Sequence, residues 1–201
     1  MQTSTKPPVD RPRWALEQLL AGNERYVADQ SVRPDSRPSA APQSPIAIVV
    51  SCSDSRVPSE LVFDQGVGSL FVVRLAGNTY DRLAYESICF AVTRLGVPLI
   101  MVIGHDQCGA VTAAVESYPG PGVGPMLENI YPAVKAAHAL EGDRVANAVN
   151  ANAIMVGERL ARERELVDRV SRRELWILPA RYALATGAVM LLTPPPSEAA
   201  G

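Results

Sequence analysis

Three short apolar runs organise the first half of the chain: IAIVVS at 46–51, SLFVVRL at 69–75 and PLIMVIG at 98–104. Each is too short for a helix and lacks the alternation of a strand with one wet face. Each therefore reads as a strand covered on both faces. Between the second and third, Leu83, Ser87, Ile88, Ala91, Val92 and Leu95 recur at helical spacing. Asn78 is the expected N-cap there, and Gly96 followed by Pro98 the stop. Strand, helix, strand of this size is a βαβ crossover, which requires a parallel sheet.

The pattern continues on both sides. PRWALEQLLAGNERYVAD predicts a helix that opens on Pro12 and packs through Trp14, Leu19, Tyr26 and Val27. Cys108, Val111, Thr112 and Val115 mark a helix just after GH. Two more follow, MLENIYPAVKAAHAL and a longer one with Val145, Val149, Asn152, Val156 and Leu160 on one face. ELWILPARY and AVMLL close the chain as strands around an ATG turn. The fold class is α/β: a four-stranded, mostly parallel sheet with an antiparallel edge strand, flanked by helices and preceded by an N-terminal helical arm. Residues 1–12 read as a mobile arm, 13–193 as one domain and 194–201 as a loose tail.

Composition narrows the function. The 201 residues are 47% hydrophobic and 20% charged, with a net charge of −2. That describes a globular chain with a real core and gives nucleic acid no basic patch to bind. No apolar run reaches bilayer length and the start lacks a secretory signal, so the expected location is cytoplasmic, with no membrane partner. Three cysteines make no disulfide framework and point to metal, catalysis or packing.

Two of the predicted strands end in unusual residues. The first ends in SCSDSR, which places Cys52, Asp54 and Arg56 at alternate positions; the third ends in GHDQC, with His105 and Cys108. Ligands gather at the carboxyl ends of strands in open α/β sheets. If these two strands are neighbours, Cys52, His105 and Cys108 converge. Two thiolates and an imidazole match a catalytic zinc site with one open position. Cys108 would also lie at a helix N-terminus, which favours its thiolate. Asp54 and Arg56 alone would be a surface ion pair of little consequence. Beside a metal, an arginine fork can fix the carboxylate bidentately, either to meet a water on the metal or to bind the metal itself. A structural zinc is the competing reading; its fourth ligand would have to be Asp54 or Cys89. Cys89 otherwise reads as a core residue and His138 as a helix surface residue.

CSDSRVPSELVFDQG, FVVRLAGN and GHDQCGAV, in this order and spacing, resemble the β-class carbonic anhydrases, from about Trp14 to the YALATGAVMLL end. The resemblance implies zinc on Cys52, His105 and Cys108 and a catalytic dyad of Asp54 and Arg56. It implies reversible hydration of carbon dioxide to bicarbonate and a proton. It places substrate contacts at Gln43, Phe71, Ala76 and Phe90. In the family this pocket is shared between subunits, so a homodimer or a dimer of dimers is implied. Val49 stands where the bicarbonate-inhibited branch carries tryptophan, which assigns the chain to the plant-like branch. Leu75, Cys89 and Pro179 depart from the family pattern; none is an implied ligand. A carbon disulfide or carbonyl sulfide hydrolase on the same scaffold, and a non-catalytic zinc protein, are the alternatives.

Overall fold

The computed structural model describes residues 10–32, 42–118, 120 and 124–196. Most of the expected arm (1–9), part of the proline-rich loop (33–41) and the end of the tail (197–201) lie outside the described residues.

Helix α1 (Arg11–Val27) starts where Asp10 accepts the backbone N–H of Arg13, with proline in the first turn. Its buried side is Ala15, Leu16 and Leu19, joined by half-buried Trp14 and Tyr26. Val27, expected to pack, is exposed. Strand β1 (Ala47–Ser51) is buried at every position, as its unbroken apolar run requires. A single-turn helix α2 (Ser59–Val62) follows, then β2 (Leu70–Arg74), a 3-10 turn at Ala76–Asn78, and α3 (Arg82–Thr93). The N-cap of α3 is Asp81, whose carboxylate accepts the Ala84 N–H at 2.8 Å. Asn78, the expected cap, is instead buried three residues earlier.

Strand β3 (Leu99–His105) leads into α4 (Gly109–Ser117), then α5 (Pro125–Ala137), α6 (Arg144–Arg162), the short α7 (Val167–Ser171), β4 (Trp176–Tyr182) and β5 (Val189–Leu191). The sheet order is β2-β1-β3-β4-β5. Strands β1 to β4 are all parallel, and β5 alone runs antiparallel, against β4.

The sheet therefore has five strands, which corrects the expected four. The antiparallel edge strand adds to a complete parallel set of four instead of being one of it. It forms because Gly187, at φ 76°, lets the chain reverse and the Ala183 N–H reach the Ala188 carbonyl. Pro179 sits inside β4 without breaking it. The Trp176 N–H points to β3, so alternation aims residue 179 away from β3, toward the β5 side. There the Pro179 carbonyl still accepts from the Leu192 N–H at 2.9 Å, and the ring costs only the return bond at the end of the β5 pairing.

Two apolar layers enclose the sheet. Ile48, Val50, Ile100 and Val102 face α3 and α6; Val49, Met101, Ile103 and Leu178 face α1. Each fully buried aliphatic side chain of this kind contributes about 1.5–3 kcal/mol of transfer free energy. A third cluster, between α4, α5 and α6, includes Cys52 and Cys108. β1 and β3 are direct neighbours, so their carboxyl ends meet over this third cluster.

Candidate metal centre

Cys52 follows β1 by one residue, His105 is the last residue of β3, and Cys108 caps α4. The pairing Ser51↔Ile103 brings these ends level. The two sulfurs and a ring nitrogen of His105 all lie within 4.8 Å of one another, and all three residues are buried. The sulfurs are 3.9 Å apart.

His105 is fully buried, and its Nδ1 lies 2.9 Å from the Asp106 carbonyl. A carbonyl can only accept, so Nδ1 carries the proton and Nε2 presents its lone pair. Nε2 is buried and has no hydrogen-bond partner among the described residues. A buried imidazole nitrogen without a partner costs free energy unless something satisfies it. A cation held jointly with the two sulfurs does so, and a soft N/S donor set of this composition fits zinc.

One of the two thiols is prepared for that charge. The Cys108 S–H, set against burial, favours the thiolate of Cys52 and pushes its pKa down, with His105 and the backbone N–H groups of Asp54 and Gly77 adding to the effect. Cys108 is pushed up, by the Cys52 thiolate beside it and by burial. The Gly77 N–H reaches Cys52 Sγ at 3.3 Å, from a residue at φ 67°. A Cβ there would meet Ile130 Cδ1 at 2.7 Å, so glycine is required twice over. Asn152 donates to the Gly77 carbonyl at 2.8 Å and ties this turn to α6.

Asp54 lies beside the cluster, turned toward Arg56. Arg56 donates from Nε to Oδ1 at 2.9 Å and from Nη2 to Oδ2 at 2.7 Å, and its backbone N–H also reaches Oδ1 at 2.9 Å. This fork holds the Asp54 carboxyl well below the usual carboxylate range. Asp54 Oδ2 stands 3.8 Å from His105 Nε2. The loop carrying both residues is braced from β2: Arg74 donates to the carbonyls of Cys52, at 3.0 Å, and Asp54, at 2.7 Å.

Residues 47–189 match the family profile described as carbonic anhydrase. The chain is 38% identical over 195 residues to "Carbonic anhydrase 2" of Mycobacterium tuberculosis, covering 92% of this chain and 94% of that protein. It is 36% identical over 198 residues to a carbonic anhydrase of Mycolicibacterium smegmatis, covering 92% and 95%. The fold is similar to the β-carbonic anhydrase CcaA, with a TM-score of 0.67 at 27% identity over 75% of this chain and 74% of that one. It is also similar to the β-carbonic anhydrase CafA of Aspergillus fumigatus, with a TM-score of 0.66 at 25% identity over 88% and 89%.

The chain belongs to the β-class carbonic anhydrase family.

In this β-class carbonic anhydrase chain, five of the expected site residues come together: Cys52, Asp54, Arg56, His105 and Cys108. Ala76 is close by, half-buried and next to the glycine that donates to Cys52. The other three expected substrate contacts lie apart from the cluster. Gln43 is exposed in the segment before β1. Phe71, half-buried on the edge strand β2, packs in the cluster of Ile48 and Val50. Phe90 is 50% exposed on α3, with nothing of this chain over half of its surface. Cys89 is half-buried on α3 and Tyr85 is its neighbour, so it is not a fourth ligand.

Sequence reasoning gave no role to Gly77, Asn152, Asp106 or Arg181. A signal existed for Asn152, a lone amide on the apolar face of α6. The other three depend on the neighbours that the sheet and helices supply.

Proposed function

We propose that this chain is a zinc-dependent carbonic anhydrase that interconverts carbon dioxide and water with bicarbonate and a proton. The observation that carries the reading is the buried Cys52–His105–Cys108 cluster, with a carboxylate locked 3.8 Å from its imidazole. Zinc on these three residues supplies the Lewis acidity that makes water a nucleophile near neutral pH.

The chain's own residues do the rest. Cys52 and Cys108 contribute two negative charges, and His105 a neutral nitrogen whose direction is set by its bond to Asp106. Asp54 Oδ2 accepts a hydrogen bond from the attacking water and orients its lone pair toward carbon dioxide. Arg56 keeps Asp54 ionised, aimed at that water and off the Cys52–His105–Cys108 cluster. The proton released passes to solvent or buffer.

The reading extends to the substrate pocket and the assembly. Gln43, Phe71, Ala76 and Phe90 are assigned to substrate, with Phe71 and Phe90 meeting the cluster of a second copy. The support is that Phe90 is half-exposed and β2 is an open sheet edge on the same side of the molecule as α3. A homodimer or a dimer of dimers follows. The plant-like branch is assigned because valine stands at position 49 where the bicarbonate-inhibited branch carries tryptophan. Three uncrosslinked cysteines support a reducing, cytoplasmic setting. No helix among the described residues is long and apolar enough to cross a membrane.

Stopped-flow hydration of carbon dioxide, with zinc quantified in the same samples, tests the reading. Activity proportional to zinc content and inhibited by acetazolamide is the expected result. Fully zinc-loaded protein with no hydration activity would overturn it.

A further inference from the structure

His105 takes its direction from the Asp106 carbonyl, so whatever fixes Asp106 fixes the imidazole. Asp106 has just left β3 and enters a tight turn whose next residue, Gln107, has φ 52°. A left-handed conformation at a non-glycine residue is strained and persists only when its surroundings hold it. Three contacts hold this one. The Asp106 N–H bonds the Tyr182 carbonyl at 3.1 Å and carries the β3–β4 ladder past the end of the strand. Arg56 donates from Nη2 to the Gln107 carbonyl at 3.3 Å. Arg181 donates from Nε to Asp106 Oδ1 at 2.6 Å, and this pair is three-quarters buried on both sides.

Register explains how Arg181 reaches that far. It is paired with Gly104, and Gly104 and Asp106 point to the same side of β3 by alternation. The same side carries α6, whose Val149 approaches so closely that a Cβ on residue 104 would lie 2.9 Å from its Cγ1. With glycine at 104, the arginine extends along the strand to the carboxylate beyond it. The pair lines a cavity of about 350 Å3 together with Gln107, Thr112 and Asp143.

We propose that Arg181 is a positioning residue for the metal centre: by clamping the Asp106 side chain it fixes the Asp106 carbonyl, and through it the ring orientation and tautomer of His105. The chain of contacts is Arg181 Nε to Asp106 Oδ1, then His105 Nδ1–H to Asp106 O, leaving Nε2 aimed at the two sulfurs. Asp54 is served by one arginine and His105 by another, from opposite sides of the same turn. Outer partners of a metal-bound histidine typically carry a 10–100-fold effect on metal affinity or activity. The inference rests on the reading of Cys52, His105 and Cys108 as metal ligands.

The test uses the full chain as wild type, Arg181→Met, Arg181→Lys and Asp106→Asn. Zinc affinity is measured by chelator competition, and the visible spectrum is recorded after cobalt substitution. Arg181→Met should weaken zinc roughly 10-fold or more and shift the cobalt bands, while far-ultraviolet dichroism shows the fold retained. Arg181→Lys should recover part of the affinity through a point charge, and Asp106→Asn should shift the bands the same way by less. If Arg181→Met fails to fold, Asp106→Asn decides the matter by the same two readouts. Wild-type affinity and an unmoved cobalt spectrum in the variants would overturn the positioning role. Failure of the wild type itself to bind zinc or cobalt would overturn the metal reading on which it rests.

Discussion

Arg56 holds both carboxylate oxygens of Asp54, and in doing so keeps Asp54 Oδ2 at 3.8 Å from His105 Nε2 instead of within the ligand cluster. This grip keeps the carboxylate off the three candidate ligands. A carboxylate released from Arg56 would be near enough to swing onto a cation, while a clamped one leaves that position to water.

The three-residue cluster predicts that Cys52→Ser loses zinc and hydration activity together. A serine hydroxyl is a poor ligand for zinc at neutral pH, and the Gly77 N–H would face it without a thiolate to bond. Metal analysis after dialysis checks this. A variant with a full complement of zinc would remove Cys52 from the ligand set.

The clamp predicts that Arg56→Ala lowers hydration activity on the order of 10²-fold with zinc retained, and that Asp54→Asn does the same. Arg56→Lys should restore little, since an ammonium cannot replace the two-pronged grip. Full activity in Arg56→Ala would show that Asp54 needs no holder.

Asp54 also makes a signed prediction about pH. Its folded pKa is depressed, first by the Arg56 hydrogen bonds, with burial opposing. A depressed carboxyl stabilises the fold above its unfolded pKa of about 3.9, and that contribution drains away as pH falls through the acid range. Arg56 is 49% exposed, so solvent screening keeps the contribution small. In urea unfolding, Asp54→Asn should be slightly less stable than wild type at pH 7, and the gap should shrink steadily below pH 4. A gap that widened in acid would contradict the assignment.

The same depression keeps Asp54 ionised through the neutral range. Hydration activity should nevertheless rise from neutral to alkaline pH, because the nucleophilic water, and not Asp54, is the group that must lose a proton. A flat rate profile across that range would reject this division of labour.

The exposed side of α3 predicts assembly. Leu83 is 72% exposed and Phe90 50%. Replacing both with aspartate should convert a dimer to a 21.5 kDa monomer by light scattering and lower activity if Phe90 completes a partner's pocket. A wild type that is already monomeric and active would refute the shared pocket.

Much of this protein could be read along the chain. The fully buried β1 and β3, the parallel βαβ crossover and the helix stops followed from runs, spacing and punctuation, because those are local consequences of covering an apolar backbone; β2, read as covered on both faces, is instead a half-buried edge strand. SCSDSR and GHDQC named their chemistry because the donor types are scarce: with two histidines in 201 residues, few metal sites can be assembled. Each of the five strands was read as a run, AVMLL included, and only the total of four was wrong. The α3 cap was missed for a physical reason: a cap is fixed by which carboxylate reaches the first free N–H.

What the sequence could not determine was everything that crosses between elements. It identified Cys52, His105 and Cys108 as donors, but only the β1–β3 pairing sets their atoms within 4.8 Å. It placed Asp54 and Arg56 two residues apart, but only the loop held by Arg74 turns them toward each other. Gly77 had no role along the chain, and tertiary packing set its N–H on the Cys52 sulfur, under Ile130. Arg181, a surface-type residue in an apolar strand, found its carboxylate through register with Gly104. Ligand identity is a property of side-chain type, which a sequence carries outright. Ligand direction is set by hydrogen bonds between residues far apart in the chain, which exist only once the sheet has formed.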